Sequence, residues 1–130
     1  MTDAAPLDQV FCYGTLLPGE ERWHYLEPYV LAQDEDQASG RLYDTGLGYP
    51  AALFDQVGVI HGMVFTIDRL RRDEALDLLD EIEGAVAGLY HRVSLVTALG
   101  RNAYGYQFGG GIEGLTAITH GRWLDRNPQL

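Results

Sequence analysis

The sequence predicts a single α+β domain, a small, mostly antiparallel mixed β-barrel with one main helix. Its 130 residues are enough for one hydrophobic core and too few for two ordinary domains, so residues 1–130 are assigned to one unit. Several short segments rich in β-branched and aromatic residues predict strands, whereas only one long segment has helical periodicity. A doubly wound parallel sheet is excluded, because it needs a helix in every crossover.

The amino-terminal half is predicted to contain strands separated by glycine- and proline-containing loops. Residues 1–8 are expected to be a short, frayed leader, and QVFCYG, residues 9–14, a strand that stops at the loop GTLLPGEE. RWHYLEPY is expected to hold a short helical turn, and VLAQDEDQASGRLYD to form either one long strand bent at Gly40 or two strands. AALF and VGVIHGMVFTI are expected to pair as a hairpin about DQVG.

The carboxyl-terminal half is predicted to begin with the main helix. It should run from about Asp68, a good N-terminal cap, to Glu83, and Gly84 is well placed to cap its end. LYHRVSLVTA and RNAYGYQF alternate as two strands joined by a turn at LGRN, and GGGIEG is a loop. Residues 122–130 are expected to be a polar tail around one Trp.

Glu83 is the residue that the helical pattern leaves unexplained. The apolar side chains of the predicted helix form one stripe, made by Ala75, Leu76, Leu78, Leu79 and Ile82. Glu83 lies inside this stripe, where an ionised carboxylate costs several kcal/mol unless it is compensated. Two interpretations stay open: the helix ends early and the side chain reaches solvent, or the carboxyl is partly buried. In the second case burial, the helix terminus and Asp80 would raise its pKa, as a general acid or base requires.

Composition excludes some classes of partner. With 9 basic and 19 acidic residues and a net charge of -10, the chain lacks the positive surface that binds nucleic acid or an anionic membrane. Its longest apolar runs are far shorter than the roughly 20 residues of a membrane span, and the amino terminus lacks the pattern of a signal peptide. A small molecule or a protein is the expected partner, and a cytoplasmic location is expected; the sequence sets no oligomeric state.

No metal or cofactor is predicted. The four histidines are scattered along the chain without the local spacing of a zinc site. GGGIEG formally matches the dinucleotide fingerprint, but it does not open a helix inside a βαβ unit. The single cysteine, Cys12, is interpreted as a small buried thiol rather than a nucleophile.

The loop YGTLLPG, residues 13–19, is the second candidate site. A strand that breaks into a glycine-containing loop can turn consecutive backbone N–H groups outward, and such concavities bind a carboxylate or a developing oxyanion. The alternative is an ordinary turn at the end of a strand.

Four segments in register resemble the gamma-glutamylcyclotransferase-like superfamily, which includes gamma-glutamylamine cyclotransferase and the AIG2-like proteins. VFCYGTLLPG resembles its Y-G-[ST]-L signature, and GRLYDTGLGYPA its G-x-L-Y-D-x-G-x-x-P-A segment. VIHGMVF resembles its VHGEVY-like segment, and LDEIEG followed by LYHRV resembles its L-D-x-x-E-G and Y-x-R block. The order and spacing match from about residue 10 to residue 108.

The resemblance implies a cofactor-free cyclotransferase with Glu83 as the catalytic acid/base. Such an enzyme converts a gamma-glutamyl amide or amine to 5-oxoproline and a free amine. The resemblance also implies a group of residues that hold the glutamyl head group, namely Tyr13, Gly14, Thr15 and Leu16, and it adds Tyr90, with Arg92, as a residue that supports the site or the fold. The alternative is a non-catalytic module that binds a glutamyl-like ligand on the same scaffold. The chain departs from some relatives after YGTL, where it has no obvious Asn-His pair, and this leaves the amine portion of the substrate open.

Overall fold

The computed structural model describes residues 7–84 and 90–125, and within these ranges the chain forms two helices and eight strands. In chain order the elements are β1 (Gln9–Cys12), α1 (Trp23–Leu26), β2 (Val30–Ser39), β3 (Arg41–Asp44), β4 (Pro50–Leu53), β5 (Val59–Ile67), α2 (Arg72–Ile82), β6 (Tyr90–Val96), β7 (Asn102–Phe108) and β8 (Thr116–Ile118). Three short 3-10 turns accompany them, at Glu27–Tyr29, Arg69–Arg71 and Trp123–Asp125.

The strands form two sheets. The larger has the order β2-β5-β1-β7-β6, and the smaller has the order β4-β3-β8. Every pairing is antiparallel except that of β1 with β7. The predicted α+β class with a mostly antiparallel sheet is therefore confirmed. The described strands form no closed ring, so the barrel stays a prediction.

Gly40 divides the long acidic segment into two strands that belong to different sheets. Its backbone φ of +146° is a conformation that residues other than glycine rarely adopt. An added Cβ would also lie 2.6 Å from the carbonyl oxygen of Leu53. Beyond this break β3 pairs with β4, whereas β2 pairs with β5. The predicted hairpin of the AALF and VGVIHGMVFTI strands is therefore wrong, since β4 and β5 lie in separate sheets.

Helix α2 begins and ends close to the predicted residues. The Asp68 carboxylate accepts the N–H of Leu70 at 3.0 Å, and a 3-10 turn leads into the helix. The predicted apolar stripe faces inward: Ala75, Leu76 and Leu79 are buried, and Leu78 and Ile82 are partly buried. The helix ends at Ile82, one residue earlier than expected, and Gly84 has the left-handed φ of +85° predicted for the cap.

Both described ends of the chain are attached to the domain. The Leu7 N–H donates to the Tyr104 hydroxyl, and the Asp8 carbonyl accepts the N–H of Ile67. Trp123, within the predicted tail, is buried in the core. The rest of the predicted leader and tail, residues 1–6 and 126–130, lies outside the described residues.

No helix in the described ranges is long and apolar enough to span a membrane.

Candidate active site

Glu83 lies at the end of α2 and faces a small cavity. The Glu83 N–H donates to the Leu79 carbonyl at 2.8 Å, which keeps the residue attached to the last turn of the helix. Its side chain is only 12% exposed, so the interpretation in which it reaches solvent is wrong. The lining comes from β1 and the loop that follows it, the start of β4, the residue after α2, β6 and β7: Phe11, Cys12, Tyr13, Gly14, Thr15, Leu16, Arg22, Tyr49, Pro50, Glu83, Tyr90 and Tyr106.

Burial makes the Glu83 carboxyl a group that can gain and lose a proton near neutrality. Removal from water raises its pKa from 4.5 to about 7, and the guanidinium of Arg22 opposes part of that rise. Asp80 does not contribute to it, contrary to the expectation from the sequence. A carboxyl with a pKa close to ambient pH is suited to general acid and base catalysis.

Arg22 is the one cation among the residues that line the cavity in the described part of the chain. Its Nη1 lies 3.6 Å from Oε2 of Glu83 and donates a hydrogen bond to the Ile82 carbonyl at 3.1 Å. The Arg22 backbone N–H donates to the Thr15 carbonyl at 2.8 Å. Arg22 therefore joins the loop after β1 to the end of α2.

The loop after β1 lines the same cavity with three residues, Gly14, Thr15 and Leu16. Among the described residues no acceptor takes up the N–H groups of Gly14, Thr15 and Leu16, whereas the Leu17 N–H closes a turn on the Gly14 carbonyl at 3.0 Å. Neighbouring unpaired N–H groups beside a cavity are suited to bind an anion.

Gly14 is required for close approach rather than for an unusual backbone angle. An added Cβ would lie 2.7 Å from Cγ of Pro50 and 3.0 Å from its Cδ. Gly14 thus lets the loop after β1 pack directly against the start of β4.

Two tyrosines that the sequence singled out form walls of the cavity. The Tyr13 hydroxyl donates to the Tyr106 carbonyl at 2.5 Å, and the Tyr90 hydroxyl donates to the Pro50 carbonyl. Burial, and then the nearby Glu83 carboxyl, raises the pKa of both phenols far above their ordinary value. Both hydroxyls therefore remain protonated and hold the walls in place, and only their lone pairs are available to a ligand.

Arg92 is not among the residues that line the cavity but supports one of its walls. Its guanidinium lies 3.6 Å from the Asp80 carboxylate and stacks over the Tyr104 ring at 4.7 Å. Asp80 in turn accepts the Tyr106 hydroxyl at 2.7 Å, and Tyr106 lines the cavity.

Cys12 is a buried thiol, as predicted, although it does line the cavity. Burial, and then the Glu83 carboxyl, raises its pKa well above the usual value, which disfavours the nucleophilic thiolate. Within residues 7–84 and 90–125, no group of three or more His, Cys, Asp or Glu side chains has the arrangement of a metal site.

A larger open groove of about 750 Å³ lies beside the same loop. It is bounded by residues of β2 and β5 and by Trp123, and it includes Tyr13 but not Glu83. The smaller cavity is the better candidate for catalysis, because the pKa of its buried carboxyl, Glu83, is raised to about 7. The buried carboxylate of the groove, Asp36, already accepts hydrogen bonds from Thr97 and from the N–H groups of Gln37 and Leu99.

The chain is similar to one family of known proteins over most of its length. The family model described as Gamma-glutamyl cyclotransferase, AIG2-like matches residues 10–125. The chain belongs to this family. It is 32% identical over 119 residues to the gamma-glutamylcyclotransferase family protein ytfP of Citrobacter rodentium, covering 92% of this chain and 97% of the relative.

Other relatives agree with this assignment. The solution structure of ytfP from Escherichia coli matches with a TM-score of 0.63 and 30% identity, over 92% of this chain and 98% of that protein. A gamma-L-glutamyl-butirosin B gamma-glutamyl cyclotransferase of Niallia circulans is 29% identical over 92 residues, which cover 67% of this chain and 56% of the relative. The resemblance recognised in the sequence is thereby confirmed at the level of the family.

The structure brings every site residue predicted from the sequence to one cavity: Tyr13, Gly14, Thr15, Leu16, Glu83 and Tyr90. It adds Arg22, Tyr49, Pro50 and Tyr106, which the sequence analysis did not select. Tyr49 and Pro50 belong to the GYPA end of a family segment, and this could have indicated them. Arg22 carries no such signal, since its role depends on a contact with Glu83, 61 positions along the chain (83 − 22).

Proposed function

We propose that this protein is a cofactor-free cyclotransferase that converts a gamma-glutamyl amide or amine to 5-oxoproline and a free amine. The observation that carries the proposal is the Glu83 carboxyl, 12% exposed, beside a loop in which three backbone N–H groups have no acceptor among the described residues. Membership of the gamma-glutamyl cyclotransferase, AIG2-like family supports the same reaction class.

The reaction is an internal acyl transfer. The α-amine of the glutamyl group attacks its own side-chain carbonyl carbon, a new C–N bond closes the five-membered lactam, and the original amide C–N bond breaks. The ammonium form of the α-amine must first lose a proton, and the departing amine must gain one. Because the nucleophile and the electrophile belong to one molecule, positioning already supplies much of the rate enhancement.

Glu83 is assigned both proton transfers. Its carboxylate accepts the proton of the α-ammonium, and the resulting carboxylic acid donates a proton to the departing nitrogen, so that the protein is regenerated without a net change. A pKa of about 7 suits both steps near neutral pH. The N–H groups of Gly14, Thr15 and Leu16 are assigned to the oxyanion that forms on the attacked carbonyl.

The pair of Tyr13 and Tyr90 is assigned to binding of the glutamyl head group by shape, since both hydroxyl protons are already donated to backbone carbonyls. A binding module without turnover is the alternative, and the buried carboxyl favours catalysis over it. Burial of an ionisable group is costly, and a proton-transfer role is the reason that active sites retain such groups.

The test is incubation of the purified protein with a panel of gamma-glutamyl amides and gamma-glutamyl amines that differ in the amine. Products are followed by mass spectrometry. The proposal predicts 5-oxoproline and the free amine in equal amounts from at least one member of the panel. Binding of panel members without either product would favour the binding module instead.

A further inference from the structure

Arg22 has no role in the proton transfers described above, yet it occupies the catalytic cavity. Its side chain is 30% exposed, and its guanidinium is paired with Glu83, the residue that must meet the substrate's ammonium. The space inside the cavity is about 20 Å³, room for about one water molecule. A glutamyl group can therefore enter only if a side chain of the lining moves.

Arg22 is well placed to be that side chain. Its backbone is held by the Thr15 carbonyl, and the neighbouring Trp23 ring packs 5.2 Å from the Phe65 ring, so the base of the residue is fixed. Within residues 7–84 and 90–125, the polar contacts of the guanidinium are those with Glu83 and with the Ile82 carbonyl. A long side chain that is partly exposed can change conformation without disturbing the fold.

The charges of the substrate are complementary to this pair. A gamma-glutamyl substrate carries an α-ammonium and an α-carboxylate on the same carbon, and Glu83 and Arg22 present a negative and a positive group 3.6 Å apart. If the ammonium approaches Glu83, Arg22 loses its partner unless another anion replaces it. The α-carboxylate is that anion, and the planar guanidinium can bind it through two hydrogen bonds.

The reaction also requires two sets of anion-binding groups. One anion is the α-carboxylate and the other is the oxyanion that develops on the attacked carbonyl. The backbone N–H groups of Gly14, Thr15 and Leu16 can serve the oxyanion, and among the described lining residues Arg22 is the cation left for the carboxylate.

We propose that Arg22 exchanges partners, pairing with Glu83 in the free protein and with the substrate's α-carboxylate in the complex. This inference rests on the proposed function and assigns the carboxylate subsite within it. The exchange also prepares the base. Arg22 lowers the pKa of Glu83 in the free protein, so its departure makes the Glu83 carboxylate a stronger base when the ammonium arrives.

A binding experiment that needs no turnover tests the exchange. Its probes are 5-oxoproline and 2-pyrrolidinone, which have the same lactam ring and differ in the carboxylate. Affinities are measured by NMR titration of the wild type, Arg22→Gln and Arg22→Lys. The matched control is Arg69→Gln, because Arg69 is 76% exposed, pairs with Asp8 and lies outside the cavity lining.

The wild type should prefer 5-oxoproline by roughly tenfold or more, as expected for a charge-assisted hydrogen bond. Arg22→Gln should lose most of this preference, Arg22→Lys should retain part of it, and Arg69→Gln should keep all of it. An undiminished preference in Arg22→Gln, or no binding or preference in the wild type, would overturn the proposal. Thermal melts identify a variant that fails to fold, and Arg22→Lys then gives the comparison.

A second readout separates this inference from the cyclotransferase activity. In kinetics with a gamma-glutamyl amide, Arg22→Gln should raise KM, and the acid limb of its kcat/KM profile should move to higher pH because the pKa of Glu83 rises when the cation is removed. Absence of turnover with an intact Arg22-dependent preference would refute only the proposed reaction. Turnover with no effect of Arg22→Gln on either readout would refute only the exchange.

Discussion

Replacing Glu83 by Gln should stabilise the fold above neutral pH. The folded protein holds this carboxyl with a pKa of about 7, compared with 4.5 for an exposed glutamate. Between these two values the unfolded chain is ionised and the folded chain is protonated, so folding takes up a proton and stability falls as pH rises. Gln is nearly isosteric with Glu and has no charge to bury, so the stability of the Glu83→Gln variant should not fall with pH in this way.

The expected size follows from the same two values. At about 1.36 kcal/mol per pH unit, the cost of Glu83 to the free energy of unfolding is below about 1 kcal/mol at about pH 5 and about 3 kcal/mol at about pH 8. The pKa of about 7 already includes the attraction between Arg22 and the carboxylate, so the net gain of the variant at the higher pH should be of the same size, roughly 1–3 kcal/mol. We expect Arg22 to keep its hydrogen bond to the Ile82 carbonyl in the variant, because that bond does not involve the Glu83 side chain.

The assay is urea unfolding of the wild type and Glu83→Gln at both pH values. Glu81→Gln is the matched control, because Glu81 lies on the same helix and its side chain is exposed. The stability difference between Glu83→Gln and the wild type should grow with pH, while Glu81→Gln should follow the wild type. A Glu83→Gln variant that is less stable than the wild type at the higher pH, or one whose pH dependence is unchanged, would refute the buried-carboxyl account.

Three further predictions concern the surroundings of this carboxyl. Gly14→Val should reduce stability by roughly 1–3 kcal/mol and impair turnover, because its Cβ would lie 2.7 Å from Cγ of Pro50. Thr15→Ser should have only a small effect on stability and turnover. A fully active and stable Gly14→Val protein would contradict the packing of this loop against Pro50. Asp80→Asn should leave the acid limb of the pH–rate profile unchanged and cost about 1 kcal/mol or less in unfolding experiments, since Asp80 binds the Tyr106 hydroxyl and does not raise the pKa of Glu83. A limb displaced towards acid in this variant would show that Asp80 does raise that pKa. Activity should survive exhaustive chelation with EDTA, and a loss restored by zinc would exclude the metal-free mechanism.

Local patterns in the sequence predicted the elements that local physics determines. Helix α2 was predicted from its apolar stripe, with Asp68 and Gly84 at its ends, because periodicity and capping depend on neighbours within a few residues. The strands β6 and β7 were predicted as a pair for the same reason, since a short turn joins them. The inward position of Glu83 followed from the same helical stripe.

Long-range pairing could not be predicted in this way. The β4–β5 hairpin failed because Gly40 sends β3 into the smaller sheet, where it pairs with both β4 and β8. Strand β8 has only three residues, Thr116–Ile118, which is too short for an alternating pattern to show. Arg22 could not be selected from the sequence, because its role depends on a contact with Glu83 that forms only in the folded chain. The raised pKa of Glu83 was wrongly attributed to Asp80, whose carboxylate instead accepts the Tyr106 hydroxyl and pairs with Arg92.

The most direct test of the proposed mechanism is 5-oxoproline production by Glu83→Gln and the wild type, prepared in parallel and supplied with the best gamma-glutamyl substrate of the panel. A positioned acid/base contributes roughly 10²–10⁴ in rate, so the variant should form 5-oxoproline at least about a hundredfold more slowly while its melting curve shows an intact fold. The wild-type rate should fall as pH is lowered through about 7, the pKa of Glu83 in the free protein. Equal rates of 5-oxoproline production by the two proteins would remove Glu83 from the mechanism.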